Sequence, residues 1–273
     1  MRILSWEAFV RRQESNPVAV SVGVFDGVHR GHRLLFRLVA GKKPEMESAV
    51  ITFMENPKKL LRPGTFKCSI FSLERKLEAF DAEGLDTCVL IDFSTDFGTL
   101  SGADFLGLLA KANVRFLTVG PNFKCGHKMD TNSAALVEIC GRLGIEALVA
   151  DPVVYAGHPI SSTRIRNAIL EGRLSEAADM LGRSCELEVE VPSAAGPALG
   201  SPKDRSQGGC ILLPRPGVLL PPDGSYRIGL NPGQTEECDA LLEGGFIRLN
   251  QPSSCVSGRV TIMNSVSQEC KEK

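Results

Sequence analysis

Apolar runs alternate with segments of helical periodicity along residues 18–155. The runs are short and rich in valine, isoleucine and phenylalanine, and they cover residues 18–25, 48–53, 86–93, 114–120 and 146–155. Between them, residues 31–41, 72–85, 101–113 and 131–144 carry apolar side chains every three or four positions, as amphipathic helices do. Uninterrupted apolar strands that alternate with such helices predict a parallel sheet covered by helices on both faces. We therefore expect a doubly wound α/β domain over residues 1–185.

The composition changes in the last part of the chain. Proline, glycine and serine dominate from residue 191 onward, and the helical periodicity disappears. Short apolar pieces remain, and turn-forming residues separate each piece from the next. Residues 186–273 are therefore expected to form a small β-rich module or a partly disordered tail.

Charge and hydropathy narrow the choice of partner. The chain has 273 residues and a formal net charge of -1, without a long block of like charge. Nucleic-acid-binding proteins usually carry a basic surface, so this balance argues against nucleic acid as a general partner. No apolar stretch reaches the ~18 residues that spanning a bilayer requires, and Trp6 and Glu7 stand where a signal peptide would be apolar. These features predict a cytoplasmic protein without a membrane partner. The oligomeric state stays open, with a monomer favoured.

The nine cysteines are scattered along the chain, and no C-x-x-C pair occurs among them. Most of them lie within apolar runs, where a free cysteine behaves as a small hydrophobic residue. Buried free thiols are therefore expected rather than a zinc site.

The segment "GVFDGVHRGH" is placed where the first predicted strand gives way to a helix. In open parallel sheets, ligands bind beyond the carboxyl ends of the strands, where helix N-termini attract anions. Gly23, Gly27 and Gly31 allow close backbone approach to a ligand or a positive φ. The imidazoles of His29 and His32 supply N–H donors to a phosphate. The segment therefore predicts a phosphate-binding turn, although not of the Walker type, because G-x-x-x-x-G-K-[ST] is absent.

Two other interpretations of the histidines stay open at this point. Two surface histidines can fall near a turn by chance, and H-x-x-H alone is a weak signal. A metal site with His127 or His158 as third ligand is a second possibility, although no acidic or cysteine partner stands at a familiar spacing.

A second anion-binding helix start is predicted by "HPISSTRIR" at residues 158–166. One of the two serines can cap a helix that begins near Thr163, and the helix N-terminus then faces an anion. Arg164 and Arg166 are two positions apart and diverge by roughly 200° on a helix, so at most one should point into a site. An ordinary capped surface helix is the alternative for this segment.

"GVFDGVHRGH" resembles the H-x-G-H motif of the nucleotidyltransferase superfamily, in the form carried by prokaryotic bifunctional FAD synthetases. Those enzymes join an N-terminal FMN adenylyltransferase to a C-terminal riboflavin kinase. Further similar segments follow in the same order at residues 51–61, 71–80, 119–126 and 160–183. The resemblance covers residues 17–183, and its last segment is highly specific.

The resemblance implies a Rossmann-like nucleotidyltransferase domain in which the phosphate of FMN attacks the α-phosphorus of ATP. The products are FAD and pyrophosphate, and Mg²⁺ enters with ATP rather than on protein ligands. The implied catalytic residues are His29, His32 and Arg166. The implied ATP-binding residues are Gly23, Phe25, Asp26, Gly27, His29, Gly31, His32, Ser162, Thr163 and Arg166. The implied flavin-binding residues are Thr52, Phe53, Pro57, Asn122 and Phe123.

The chain departs from the family pattern on the flavin side and in its C-terminal part. Asn56 stands where the family usually has histidine, and Cys125 stands where an aromatic residue is common. A riboflavin kinase should contain a motif whose threonine and asparagine hold Mg²⁺ and nucleotide phosphates. The nearest match keeps Leu199, Gly200 and Pro202 but has Lys203 and Arg205 at those two positions.

The rest of the kinase pattern is only partly present. The stretch around Pro214 and Gly217 resembles the following strand, and Glu236 or Glu237 is the nearest downstream acid. We therefore expect a degenerate kinase module and an enzyme that acts only as an FMN adenylyltransferase.

Two further hypotheses remain. The chemistry can be the same with another phosphorylated acceptor, such as pantetheine phosphate, nicotinamide mononucleotide or glycerol phosphate, which residues 51–61 and 160–166 disfavour. Alternatively, the chain is a flavin-binding protein without catalysis, which the presence of His29, His32, Ser162 and Thr163 disfavours.

Overall fold

The structure is a computed structural model, and it describes residues 1–13, 16–61, 64, 66, 68–93, 95–191, 210–230, 237–249 and 258–265. Contacts divide the chain into two units. The first contains Met1–Lys67 and Phe71–Ser161, and the second contains Cys68–Ile70 and Ser162–Lys273. The division at residue 185 that the sequence suggests stays a prediction.

The first unit alternates strands and helices. Its strands are β1 (Arg2–Ser5), β2 (Val18–Val22), β3 (Glu47–Phe53), β4 (Thr87–Ile91), β5 (Val114–Val119), β6 (Lys124–Cys125), β7 (Thr131–Asn132), β8 (Glu146–Val149), β9 (Val154–Tyr155) and β10 (His158–Pro159). Its α-helices are α1 (Trp6–Val10), α2 (Arg30–Ala40), α3 (Pro57–Leu61), α4 (Leu73–Ala82), α5 (Thr95–Thr99), α6 (Gly102–Lys111) and α7 (Ser133–Arg142).

Six of these strands form one parallel sheet in the order β1-β4-β3-β2-β5-β8. The predicted α/β class and parallel sheet are confirmed. The predicted runs at residues 18–25 and 146–155 differ most from the observed strands, because β2 ends at Val22 and residues 146–155 divide into β8 and β9. The apolar residues beyond Val22 belong to a buried turn, which periodicity alone does not separate from a strand.

Strand β2 lies inside the sheet and is buried along its whole length. Its alternate residues Val18, Val20 and Val22 join a core cluster with Trp6 of α1 and Phe105 of α6. Helix α2 packs on β2, β3 and β5. Each fully buried aliphatic or aromatic side chain contributes about 1.5–3 kcal/mol, so the sheet is a rigid support for the turns that follow its strands.

The second unit contains two helices and a closed barrel. The helices are α8 (Ser162–Leu170) and α9 (Leu174–Leu181), and the strands are β11 (Cys185–Glu190), β12 (Ile211–Pro214), β13 (Gly224–Gly229), β14 (Glu237–Glu243), β15 (Phe246–Leu249) and β16 (Gly258–Ser265). The barrel order is β11-β12-β15-β14-β13-β16, with antiparallel pairing throughout. The expected β-rich C-terminal module is confirmed. The alternative of a disordered tail concerns residues outside the described ranges.

Several residues of the expected kinase motif also lie outside the described residues. They are Leu199, Gly200, Pro202, Lys203, Arg205 and Glu236. Of the others, Pro214 ends β12, Gly217 follows it with a φ of 81°, and Glu237 begins β14 with an exposed side chain.

No helix within the described ranges combines the length and the hydrophobicity that crossing a bilayer requires.

Candidate functional site

The turn between β2 and α2 has a strained backbone. Phe25 and Val28 have positive φ values of 53° and 39°, and Gly27 between them has 78°. A positive φ is a true outlier for a β-branched residue such as valine. Each such conformation costs on the order of 1–3 kcal/mol, and such residues cluster at ligand-binding and catalytic sites. Packing holds the turn in place, because the buried ring of Phe25 lies 5.0 Å from the ring of Phe36 and 6.0 Å from that of Phe80.

His29 caps helix α2. Its Nδ1 accepts the backbone N–H of His32 at 3.4 Å, and the residue is 5% exposed. Serine, threonine, aspartate and asparagine are the usual residues at this position. Because Nδ1 is the acceptor, a neutral His29 carries its proton on Nε2, which makes Nε2–H a donor. The rings of His29 and His32 stack with 3.5 Å between centroids and 22° between planes.

The three glycines of the turn have different reasons to be glycine. Of the three, only Gly27 has a positive φ, and close approach of a ligand to the backbone of Gly23 and Gly31 stays a prediction. A Cβ at Gly31 would lie 3.1 Å from Cε1 of His29, and a Cβ at Gly23 would lie 3.0 Å from the ring of Phe25. These two glycines therefore give room to neighbouring rings.

Asp26 anchors the turn to helix α4. The residue is 6% exposed, and its Oδ1 accepts the backbone N–H of Phe71 at 3.2 Å. The carboxylate therefore holds the turn to the chain that leads into α4. Its part in nucleotide binding stays a prediction.

The second predicted anion-binding helix start is the N-terminus of α8, whose first two residues are Ser162 and Thr163. Nε of Arg166 donates to the backbone oxygen of Cys68 at 3.1 Å. The guanidinium of Arg164 lies 3.5 Å from Glu176 of α9. The two arginines thus have different neighbours, as expected from their spacing on a helix. His29 and His32 belong to the first unit, and the start of α8 belongs to the second. That both bind the same triphosphate is therefore a proposal.

A cavity of about 450 Å³ opens in the first unit beside the turn. Its lining includes Val22, Gly23 and Val24, where β2 enters the turn. Four of the five predicted flavin residues also line it, namely Phe53, Pro57, Asn122 and Phe123. The volume falls within the ~300–1,000 Å³ that small-molecule sites usually occupy. The structure therefore brings together residues that are far apart in the sequence.

Aromatic rings form much of the cavity wall. The ring of Phe97 contacts those of Phe53, Phe93 and Phe105 at centroid distances of 6.2, 6.0 and 6.1 Å. Trp6 packs behind this wall, 5.6 Å from Phe97 and 5.4 Å from Phe105. Phe93, Phe97 and Phe105 were not predicted as site residues, although their position just after β4 and in the next helices was a usable signal.

Thr52 is the fifth predicted flavin residue, and its hydroxyl is engaged inside the protein. Its Oγ1 donates to the backbone oxygen of Val24 at 3.1 Å and accepts from Nζ of Lys76 at 3.2 Å. Lys76 also donates to the backbone oxygen of Phe53 at 2.8 Å. Burial lowers the pKa of Lys76 to about 8, while the nearby carboxylate of Asp26 opposes this shift. Flavin contact by Thr52 stays a prediction, and Lys76 was missed because one lysine in an amphipathic helix reads as a surface residue.

The far wall of the cavity depends on a tight loop between β6 and β7. Oδ1 of Asp130 accepts the backbone N–H of Gly102 at 3.1 Å and the hydroxyl of Thr131 at 2.8 Å. Gly126 has a φ of 81°, and a Cβ there would lie 2.1 Å from Oδ1 of Asp130. The position therefore requires glycine. His127 faces the backbone, with Nδ1 3.0 Å from the oxygen of Gly98.

Among the described residues, no group of three or more histidine, cysteine or acidic side chains is placed to hold a metal ion. Six cysteines of the described ranges are free: Cys68, Cys88, Cys125, Cys140, Cys185 and Cys238. Cys210 is disulfide-bonded, so the expectation of free thiols is wrong there. Cys125 lines the cavity, and burial raises its pKa to about 12, so its thiol is neutral.

Comparisons with known proteins place this geometry in context. A family model described as FAD synthetase matches residues 11–164. The bifunctional riboflavin kinase/FMN adenylyltransferase of Buchnera aphidicola subsp. Schizaphis graminum is 31% identical over 178 residues, which are 63% of this chain and 57% of that protein. The protein of the same name from Listeria monocytogenes is 32% identical over 169 residues, 60% of this chain and 53% of that one. The chain thus matches little more than half the length of these relatives.

A solved structure shares the fold over the whole chain. It is described as a macrolide-efflux protein from Streptococcus pneumoniae, and it is 23% identical with a TM-score of 0.77. The superposition covers 100% of this chain and 96% of the other. At this level of identity the likeness concerns the fold alone.

Proposed function

The chain belongs to the FAD synthetase family, and on this premise we propose that it is an FMN adenylyltransferase. It transfers the adenylyl group of MgATP to the phosphate of FMN and releases FAD and pyrophosphate. The observation that carries the proposal is the aromatic cavity that opens beside the His29 turn, because Gly23 and Val24 belong to both. A planar apolar ring in the cavity would hold an attached phosphate near the donors of the turn.

The reaction requires alignment of the two substrates rather than a strong general base. An oxygen of the FMN phosphate, already ionised at neutral pH, forms a bond to the α-phosphorus. The bond from that phosphorus to the bridging oxygen breaks, and pyrophosphate leaves with its electron pair. Two polyanions must be held in line, and the charge on the transferred group must be neutralised.

His29 and His32 are the proposed donors to the reacting phosphates. Capping of α2 through Nδ1 fixes the ring of His29 and leaves Nε2–H as the donor. Stacking on His32 restricts both rings, so little rearrangement is needed when charge develops. The positive φ of Gly27 allows the turn, and the missing side chain of Gly31 leaves room for the imidazole of His29.

Ser162, Thr163 and Arg166 are proposed to bind the outer phosphates of ATP and then the leaving pyrophosphate. The first two residues begin α8, whose N-terminal N–H groups favour an anion. Arg166 adds a guanidinium, which suits planar recognition of phosphate oxygens. Mg²⁺ arrives as part of the MgATP substrate.

We further propose that the C-terminal module is a degenerate riboflavin kinase without activity of its own. Lys203 and Arg205 replace the threonine and asparagine that should hold Mg²⁺ and phosphate. Two cations at those positions would repel Mg²⁺ and leave no oxygen ligand for it. Incubation of riboflavin with γ-labelled ATP tests this point, since a working kinase would yield labelled FMN.

Incubation of the purified chain with FMN, ATP and Mg²⁺, followed by chromatography, tests the adenylyltransferase directly. We expect FAD and pyrophosphate in equal amounts. Parallel reactions with pantetheine phosphate, nicotinamide mononucleotide or glycerol phosphate should give no adenylylated product. Product from one of these and none from FMN would show a different acceptor. Flavin binding without turnover would show a protein that has no catalytic activity.

A further inference from the structure

A buried lysine lies behind both the turn and the cavity of the first unit. Lys76 on helix α4 is 7% exposed. Its Nζ donates to the backbone oxygen of Phe53 at 2.8 Å and to Oγ1 of Thr52 at 3.2 Å. Both acceptors belong to the last two residues of β3. Lys76 therefore anchors the carboxyl end of this strand.

The anchor extends from β3 to the neighbouring strand β2. Oγ1 of Thr52 donates onward to the backbone oxygen of Val24 at 3.1 Å. Val24 directly precedes Phe25, the first residue of positive φ in the turn that leads to His29. Val24 and Phe53 also line the cavity. One ammonium thus connects a cavity wall to the beginning of the strained turn.

A lysine is a poor choice at this position for stability alone. Removing an ammonium from water is expensive, and an apolar side chain of similar volume is often as stable or more stable in a buried place. The charged and titratable neighbours give limited compensation: Asp26 in the turn attracts the ammonium, and the thiol of Cys88 on β4 is neutral because burial raises its pKa to about 12. Buried charge beside a binding cavity is more typical of function than of packing.

We propose that Lys76 is a positioning residue for adenylyl transfer. Through Thr52 and Phe53 it fixes the position of the cavity wall relative to the His29 turn. This inference rests on the proposed function. Lys76 donates its hydrogen bonds to protein atoms. It therefore acts on the substrates indirectly, through the cavity-lining residues Val24 and Phe53. This relative position matters because a displacement of ~1 Å between reacting groups can lower the rate by ~10²-fold.

The proposal predicts a separation between binding and turnover. The aromatic wall of the cavity remains when Lys76 is replaced, so the flavin ring should bind with nearly unchanged affinity. The phosphate of the bound FMN would no longer be aligned with the turn. Replacement of Lys76 should therefore lower kcat much more than it changes KM for FMN.

The experiment compares Lys76→Met, Thr52→Val and the double variant with the parent. Lys111→Met is the matched control, because Lys111 is an exposed lysine at the end of α6. FMN binding is followed by quenching of Trp6, the only tryptophan of the chain, which packs behind the cavity wall. Thermal melting of each variant shows whether it is folded at the assay temperature.

We expect Lys76→Met to lower kcat at least ten-fold with a flavin affinity within about three-fold of the parent. Thr52→Val should lower kcat in the same direction, and the double variant should be no slower than Lys76→Met, because both changes cut the same connection. Lys111→Met should match the parent. If Lys76→Met does not fold, Thr52→Val tests the proposal instead, because it removes the hydrogen bond from Thr52 to Val24 and keeps the lysine.

Parent-like turnover in Lys76→Met or in Thr52→Val would overturn the positioning role. So would a loss of turnover fully matched by a loss of flavin binding, because Lys76 would then only support the cavity. If the parent and Lys111→Met make no FAD, the proposed function fails and the role of Lys76 fails with it. The two failures are therefore distinguished by the parent enzyme alone.

Discussion

His29 caps the same helix that carries His32, and the two imidazoles stack with 3.5 Å between their centroids. One side chain therefore fulfils a local structural requirement and presents a donor at the end of strand β2. These two roles can be separated by substitution, because asparagine is a good helix cap but places no imidazole N–H at the site.

His29→Ala should lose both roles. We expect turnover to fall by about 10²-fold or more, as on removal of one transition-state donor, and the free energy of unfolding to fall by about 1 kcal/mol. His29→Asn should recover the stability and leave the rate low. Denaturant unfolding together with steady-state FAD formation measures both effects. Recovery of the rate in His29→Asn would show that the cap, rather than the donor, matters.

Gly126→Ala should weaken flavin binding without unfolding the sheet. The new Cβ would lie 2.1 Å from Oδ1 of Asp130 and 2.3 Å from the backbone nitrogen of Gly102, at a φ of 81°. The loop must then move away from the cavity. Titration with FMN while Trp6 fluorescence is recorded should show at least ten-fold weaker binding, roughly the effect of 1.4 kcal/mol.

Gly107→Ala is the matched control for this change. Gly107 lies in helix α6, and apart from its chain neighbours and the backbone of its own helix no atom is within 4 Å of the place where its Cβ would be. Alanine is a better helix former than glycine, so this variant should bind FMN like the parent and unfold with equal or greater free energy. If Gly107→Ala weakens FMN binding as much as Gly126→Ala does, the loss of binding cannot be assigned to the loop between β6 and β7.

Acid should destabilise the protein through Glu47 at the start of β3. Burial alone would raise the pKa of Glu47, but the hydroxyl of Thr87 and the guanidinium groups of Arg2 and Arg12 hold this pKa below its usual value of 4.5. A carboxylate with a lowered pKa stabilises the folded state above its unfolded pKa, and this stability is lost as the pH falls. The melting temperature of the parent should therefore fall more steeply below pH 5 than that of Glu47→Gln. Identical slopes would contradict the assignment.

Alkaline pH should affect the parent and Lys76→Met differently. The folded pKa of Lys76 is about 8, against 10.5 in the unfolded chain, so the unfolded state binds more protons between these values. This lysine therefore adds stability as the pH rises through that window. Buried thiols such as Cys88 act in the opposite sense, because the folded state keeps their protons. The free energy of unfolding should thus rise with pH in the parent relative to Lys76→Met, and a constant difference would contradict the lowered pKa.

Sequence patterns predicted the sheet and the turn because both depend on local periodicity. The apolar run that ends near Phe25, followed by glycines and a helix, already indicated a ligand-binding loop at a strand end. The cavity could be predicted only in part, because Trp6, Phe97 and Phe105 meet through strand order rather than through spacing. Lys76 could not be predicted as buried, since its neighbours Thr52 and Cys88 lie on strands that are distant in the sequence.

In the proposed reaction the chain joins the adenylyl group of ATP to the phosphate of FMN. ATP labelled at the α-phosphorus, incubated with FMN and Mg²⁺, tests it most directly when the flavin products are separated and counted. We expect one label in each FAD formed and an amount of unlabelled pyrophosphate equal to that of FAD. A flavin pool that stays unlabelled while FMN is shown to bind would contradict it.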